Sequence, residues 1–342
     1  MGSKKIHRII ISRTDAIGDV VLTLPLASVI KKILGCETQV IFFGSSYTMP
    51  VINCCDAIDE CIDYNSFKDL DETGRKEFLR QIKADAIIHV FPRKDIAHSA
   101  KQAGIGLRIG TTNRLFHWWS CNKLIRLGRK NSSLHEAQLN LKLISALGFR
   151  EQLNKEELAG HYQLNCLYEL PEKLTTVLSK NKFNLIIHPK SNASAREWSM
   201  EHYKNLIHLL PAENFRILIT GGEKEKSFLD SWVQSIPEQV INLSGLLTLN
   251  ELISLLNSCD GIVAASTGPL HIASALGKHA LGIYPPIKPM NPTRWAPIGK
   301  QAEYLVIERS CKTCKNLPAS CHCINEITPR MVADRVLHWK KI

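Results

Sequence analysis

Nowhere in the 342 residues is there an apolar run able to span a bilayer. Two long uncharged stretches, 38–55 and 261–277, are broken by Gly, Ser, Thr or Pro and fall short of the roughly 20 strongly apolar residues a spanning helix needs. No transmembrane segment is expected. Low-complexity tracts and short-period repeats are missing too. Hydrophobic, charged and aromatic fractions of 44%, 22% and 7% sit near globular averages, which excludes disordered, collagen-like and coiled-coil classes. The opening residues, Met1-Gly-Ser-Lys-Lys, run straight into an apolar strand-like stretch without the apolar core and cleavage site of a secretory signal, so a cytoplasmic protein is expected. The absence of G-x-G-x-x-G removes support for a dinucleotide fingerprint. The absence of a dense basic run or an RNA- or DNA-binding motif argues against a nucleic-acid partner.

Size, thiols and positive charge are what the chain does hold. At roughly 100–200 residues per domain, its length predicts about two domains. Eleven cysteines in so long a chain point to reduced, mostly buried thiols rather than a disulfide framework. Lys and Arg number 43 against 32 Asp and Glu, a net charge of +11, so the surface should attract anions such as sugar phosphates or an anionic membrane face.

Short β-branched runs alternate with helical spacing. In the N-terminal half, 6–12, 39–43 and 86–91 read as strands and 20–34 as a helix that Pro25 kinks or restarts. The stretch 172–182 reads as a polar helix. After it, 183–188, 215–220, 240–243, 261–265 and 280–284 read as buried strands, with helices near 199–210, 223–235, 249–258 and 269–277 between them. This alternation predicts an α/β protein with two parallel-sheet domains, 1–168 and 169–342, facing a central cleft. Ligands in such sheets sit beyond the carboxyl ends of the strands.

Four strand-end segments draw attention for that reason. Ser12-Arg13-Thr14-Asp15-Ala16-Ile17-Gly18-Asp19 ends the first strand and opens a helix; either aspartate could cap the helix or serve as a general base. Lys190-Ser191-Asn192-Ala193-Ser194-Ala195-Arg196-Glu197-Trp198 follows the strand 183–188 and carries the donors of a phosphate-binding loop, a solvated basic loop being the plainer alternative. Thr220-Gly221-Gly222 places glycines after the next strand, with Glu225 beyond them. In Ser266-Thr267-Gly268-Pro269-Leu270-His271, Ser and Thr suit an N-cap and Pro the first helical position, so free N–H groups should point at a ligand. His271 alone is as readily a packed structural histidine.

Taken together, R-T-D-A-I-G-D, H-P…R-E-W, T-G-G…E and S-T-G-P-L-H-I-A-S-A-L-G stand in the same order as in the family 9 glycosyltransferases, the ADP-heptose:lipopolysaccharide heptosyltransferases and their relatives. The chain resembles that family over roughly 6–336. The resemblance implies a GT-B architecture of two Rossmann-like domains, the first facing a lipopolysaccharide core acceptor and the second holding a nucleotide-diphosphate sugar such as ADP-heptose. It implies Asp19 as the general base. Arg196, Lys190 and Ser191 would contact the diphosphate, Glu225 the ribose, and Leu247 would lie by the base. Thr267 and Gly268 would give N–H groups to the phosphates, with His271 beside them. Many heptosyltransferases have an acidic residue before the Thr/Ser-Gly pair where this chain has Ser266. That leaves the donor open between heptose and another nucleotide-activated sugar. No cofactor is required by this reading, and a loosely bound Mg²⁺ is compatible with it.

Two further features remain. Cys311-x2-Cys314-x6-Cys321-x-Cys323 has metal-like spacing, but its C-x-C pair is tighter than usual for Zn²⁺, which favours free thiols or a disulfide over zinc. Lys101, Arg108, Arg114, Arg126, Arg129 and Lys130, with His98, fall in the half expected to meet the acceptor, so a peripheral, salt-sensitive association with the inner-membrane surface is expected. His117-Trp118-Trp119 either inserts there or packs under a loop, packing being commoner. A non-catalytic polyanion-binding protein and a sugar-nucleotide-binding scaffold are the alternatives from other functional classes.

Overall fold

The computed structural model describes residues 5–129, 132–236, 240–309 and 322–341. The chain divides into two compact units, Met1–Asn165 and Cys166–Ile342. Each unit contains one six-stranded sheet whose paired strands are all parallel.

The first sheet comprises β1 (Arg8–Ser12), β2 (Gln39–Gly44), β3 (Glu60–Asp63), β4 (Ala86–His89), β5 (Leu107–Thr111) and β6 (Lys123–Ile125), in the order β3-β2-β1-β4-β5-β6. The second comprises β7 (Phe183–His188), β8 (Phe215–Ile219), β9 (Val240–Asn242), β10 (Gly261–Ala265), β11 (His279–Tyr284) and β12 (Ala302–Val306), in the order β9-β8-β7-β10-β11-β12. Both follow the doubly wound 3-2-1-4-5-6 pattern. Chain direction across the sheet therefore reverses beside β1 in one unit and beside β7 in the other, and a ligand crevice opens at that place in such folds.

The central strands are apolar throughout because helices cover both faces of a parallel sheet. Ile9, Ile10 and Ile11 of β1 and Leu185, Ile186 and Ile187 of β7 are fully buried. Pro25 restarts the first helical region, separating a helix Ile17–Val21 from a helix Pro25–Leu34, as its missing N–H requires. In the second unit Trp198 is buried and its indole N–H donates to the Ile327 carbonyl at 2.8 Å. This bond ties the loop after β7 to the C-terminal region. Thr328 caps the helix Pro329–Val336 that follows.

The stretch 172–182, expected to be helical, is helical only at Glu172–Thr175. Asn184 competes for the backbone that follows, accepting the Ser179 N–H and donating to the Ser179 carbonyl. No helix among the described residues is long and apolar enough to cross a membrane. Among the described cysteines Cys54, Cys55, Cys121, Cys259 and Cys323 are buried, Cys61 and Cys166 are half-buried and Cys36 is exposed. Cys311, Cys314 and Cys321 lie outside the described residues. Cys323 opens a 3-10 turn and its sulfur accepts from Arg309 at 3.3 Å.

Candidate active site

The residues after β1 build a charged cluster around a buried arginine. Arg13 is only 1% exposed. Its Nε and one terminal nitrogen bind the two oxygens of Asp15 at 2.7 and 3.0 Å, the same terminal nitrogen reaches Asp19 Oδ1, and the other lies 3.4 Å from Glu136. Glu136, itself buried, also pairs with Arg129 at 3.1 Å. Burial works against the charge on Arg13, but the carboxylates of Asp15, Asp19 and Glu136 outweigh it and raise its pKa above the ordinary value. Three carboxylates thus face two guanidinium groups.

That imbalance is felt at Asp19. Burial is the largest cause of its shift, and Asp15 and Glu136 add to it while Arg13 and Arg129 oppose; the carboxyl is pushed up to about 6. It is still ionised at neutral pH. Both oxygens of Asp15 are taken by Arg13, whereas Oδ2 of Asp19 has no hydrogen bond among the described residues. Asp19 lies in the first turn of Ile17–Val21 and its side chain is 22% exposed. One oxygen is held and the other is open, the geometry a general base needs. Replacing Glu136 by Gln is expected to lower the Asp19 pKa by about one unit, because a like charge is removed and Arg13 is freed toward Asp19. Carbon-detected NMR titration of the Asp19 carboxyl measures it.

Across the switch point, Phe91, Arg93, Lys94, Asp95 and His98 after β4 and Tyr64, Glu72 and Arg75 between β3 and β4 line an open groove of about 820 Å³. Arg93 lies over the Tyr64 ring at 4.3 Å and donates from Nε to Thr14 Oγ1 at 2.8 Å, which joins the groove to the loop that carries Asp19. The Tyr64 hydroxyl donates to Asp95, and His98 lies 3.2 Å from Glu72.

In the second unit the candidates flank the equivalent point. Lys190 and Ser191 both engage Glu197: Lys190 forms an ion pair with it, and the Ser191 N–H and hydroxyl donate to it at 2.8 and 2.9 Å. These donors have converged on a carboxylate, which shows that the loop can focus on an anion. Glu197 stands in the R-E-W motif, but sequence pattern assigns it no role of its own. Arg196 is half-buried and makes no ion pair or hydrogen bond among the described residues. Glu225 accepts from the Asn192 N–H at 2.9 Å and the Gly222 N–H at 2.8 Å, stitching the loop after β7 to the one after β8. A carboxylate has lone pairs to spare for a further hydroxyl donor. Leu247 is half-buried in the loop between β9 and the helix Leu249–Ser258.

After β10, Thr267 is the extended N-cap of the helix Gly268–Ala275, with Pro269 in its first turn. The Thr267 side chain does not cap, and its buried hydroxyl has no partner. Gly268 is half-buried, so the terminus reaches the surface. Ser266 is half-buried, and the Tyr284 hydroxyl donates to the Trp295 carbonyl. His271 is buried, its Nδ1 has no partner, and burial lowers its pKa to about 4. It is a neutral side chain near the helix start. Among the described residues no three His, Cys, Asp or Glu side chains are arranged so that they could hold a metal ion.

Comparison with known proteins accords with this arrangement. A Haemophilus influenzae protein described as a "Putative glycosyltransferase" is 28% identical over 306 residues, 85% of this chain and 86% of its own length. The structure of a glycosyl transferase family 9 protein from Veillonella parvula superposes with a TM-score of 0.80 over 98% of both chains at 18% identity. That of the Escherichia coli ADP-heptose LPS heptosyltransferase II gives 0.76 over 96% of this chain and 97% of the other, also at 18% identity. The sequence profile of the family described as glycosyltransferase family 9 (heptosyltransferase) matches residues 76–324. With two parallel six-stranded α/β units and most of its length inside that match, the chain belongs to glycosyltransferase family 9 and is a glycosyltransferase related to the lipopolysaccharide heptosyltransferases.

Proposed function

We propose that this enzyme transfers heptose from ADP-heptose to an inner-core sugar of lipopolysaccharide with inversion at the anomeric carbon, using Asp19 as the base. The observation that carries the reading is the Asp19 carboxylate, fixed through one oxygen by Arg13, open at the other and ionised above about pH 6. In the proposed step Asp19 takes the proton of the acceptor hydroxyl, whose oxygen bonds to the anomeric carbon as the carbon–oxygen bond to the diphosphate breaks. ADP leaves with that electron pair.

The negative charge that grows on the leaving group is met by Arg196, Lys190 and the N–H groups of Thr267 and Gly268, an arrangement that requires no divalent cation and is compatible with a loosely bound Mg²⁺. Arg196 is the cation still without a partner in this unit's loop, so it has most to gain from a phosphate. Glu225 takes a ribose hydroxyl, Leu247 borders the adenine, and Ser266 and His271 lie toward the sugar. Acceptor anions are proposed to enter the groove carrying Arg75, Arg93 and Lys94.

ADP and ADP-heptose are expected to raise the melting temperature more than GDP-, UDP- or other nucleotide sugars, since a ligand bound only by the folded state stabilises it. Arg196→Ala should weaken ADP binding roughly 10-fold or more, as loss of a charge-assisted contact does. Equal stabilisation by UDP- or GDP-sugars would remove the adenine assignment, and unchanged ADP affinity in Arg196→Ala the role of that arginine.

A further inference from the structure

We propose that the helix Leu115–Ser120 and the cations around it form a docking surface for an anionic lipid bilayer. The helix packs inward through His117 and Ser120, which are 0% and 4% exposed, with the Thr111 N–H donating to His117 Nδ1 at 2.9 Å. The sequence run His117-Trp118-Trp119 therefore divides: the histidine packs and the tryptophans do not. Leu115, Trp118 and Trp119 are 75%, 57% and 68% exposed. Their i, i+3, i+4 spacing places them on one side of the helix, so they form a single apolar face. Trp118 is oriented by its indole N–H, which donates to the Thr112 carbonyl at 3.2 Å.

Charge singles out the occupant. From residue 96 to residue 135 the sequence contains seven Lys and Arg and no Asp or Glu. Arg114, Lys123 and Arg126, close to the tryptophans in sequence, are exposed and make no ion pair among the described residues. Tryptophan is favoured at the membrane–water boundary, where its ring is buried and its N–H stays hydrated. Each Lys or Arg near an anionic surface strengthens binding roughly five-fold. A second copy of the chain fits less well, because two such patches would bring like charges together. Thr112 directly follows β5, so this face lies at the same carboxyl edge of the sheet as Asp19, two strands and about 10 Å to the side. A lipid-anchored acceptor would be offered to the base from the surface on which the enzyme rests. The docking itself is independent of the donor and acceptor assignments, and its test contains neither.

The full chain is mixed with vesicles of phosphatidylethanolamine and phosphatidylglycerol, or of phosphatidylcholine alone, and sedimented at about 0.05 M and about 0.5 M salt. Quenching of tryptophan fluorescence by brominated lipid is followed in parallel. Binding to the anionic vesicles only, weakened by salt and accompanied by quenching, is expected. The double variant Trp118→Ser, Trp119→Ser should lose at least about 10-fold in binding together with most of the quenching. Arg114→Glu with Arg126→Glu should lose binding while keeping an unchanged melting temperature. Both positions are exposed, so neither change disturbs the core. No binding by the wild type, or equal binding by the tryptophan variant, overturns the proposal. So does concentration-dependent dimerisation that the tryptophan variant abolishes, which would make the face a contact between copies.

Discussion

Asp19→Asn is expected to lower the transfer rate by about 10²- to 10⁴-fold, the range over which a positioned general base contributes, while ADP affinity stays as in the wild type. The asparagine keeps the shape of the side chain and still offers an oxygen to Arg13, but it cannot accept the hydroxyl proton. Asp15→Asn is the contrasting variant: both Asp15 oxygens are bound by Arg13, so its loss loosens the cluster without removing the proposed base. The wild-type rate should rise through about pH 6 as Asp19 ionises. Stability moves in the opposite sense. The folded-state pKa of Asp19 is raised from 3.8 to about 6, so the stabilisation associated with its neutral form is fully present below about pH 3.8 and lost as pH rises through about 6. Above that, ionised Asp19 costs the folded state on the order of 2–3 kcal/mol, and Asn mimics the neutral form. At pH 8 Asp19→Asn should therefore melt a few degrees higher than the wild type even as its activity collapses. Steady-state rates and thermal melts on one preparation check both halves. A variant that retains full activity removes Asp19 from the mechanism.

Much of this site is legible in sequence because it sits where local rules are strong. The apolar run of β7 is bounded by His188-Pro189, and Pro269 marks the helix start after β10. A strand followed by Gly18-Asp19 places a carboxylate in a first helical turn. Central strands are buried on both faces and therefore read as continuous apolar runs. The strands missing from the sequence reading are β3, β5, β6 and β12. Three of these are sheet edges: Glu60–Asp63, Lys123–Ile125 and Ala302–Val306 mix charged and apolar residues because one side faces water. The partnership that tunes Asp19 is hidden for a different reason. Glu136 is 123 residues from Arg13, and nothing local in either segment announces that the fold brings them together. Likewise Glu197 reads as a surface acid until the loop closes and Lys190 and Ser191 turn onto it. Pairings between remote residues are properties of the fold, and sequence pattern reports mainly on neighbours.

Three buried histidines set the second large effect, which is a loss of stability in mild acid. His89 is fully buried, neither ring nitrogen has a partner, and burial, reinforced by His117 and Arg108, lowers its pKa to about 3. His188, with Nδ1 2.9 Å from Thr220 Oγ1, and His271 are lowered by burial to about 4. Each is depressed from 6.5, so the stability it contributes is present above about pH 6.5 and lost as pH falls toward its folded value, because the unfolded chain takes up the proton first. In the second unit His188 and His271 give a slope of roughly 3 kcal/mol per pH unit between pH 6 and 4, and in the first unit His89 gives about half of that. Asp19 returns part of this as it protonates, with the opposite sign. Since whole domains are stable by only about 5–15 kcal/mol, the protein is expected to unfold near pH 4–5, while many carboxylates are still ionised. His188 and His271 both belong to the second unit, so that unit should fail at the higher pH. His89→Leu supplies the control. It replaces an unpaired polar ring by an apolar side chain, loses no hydrogen bond, and should add about 1–2 kcal/mol at pH 7 while flattening the acid slope of the first unit by one proton. Urea denaturation at stepped pH, followed by circular dichroism, measures both quantities. An unchanged acid slope in His89→Leu would mean that this ring takes up its proton in the folded state as readily as in the unfolded chain.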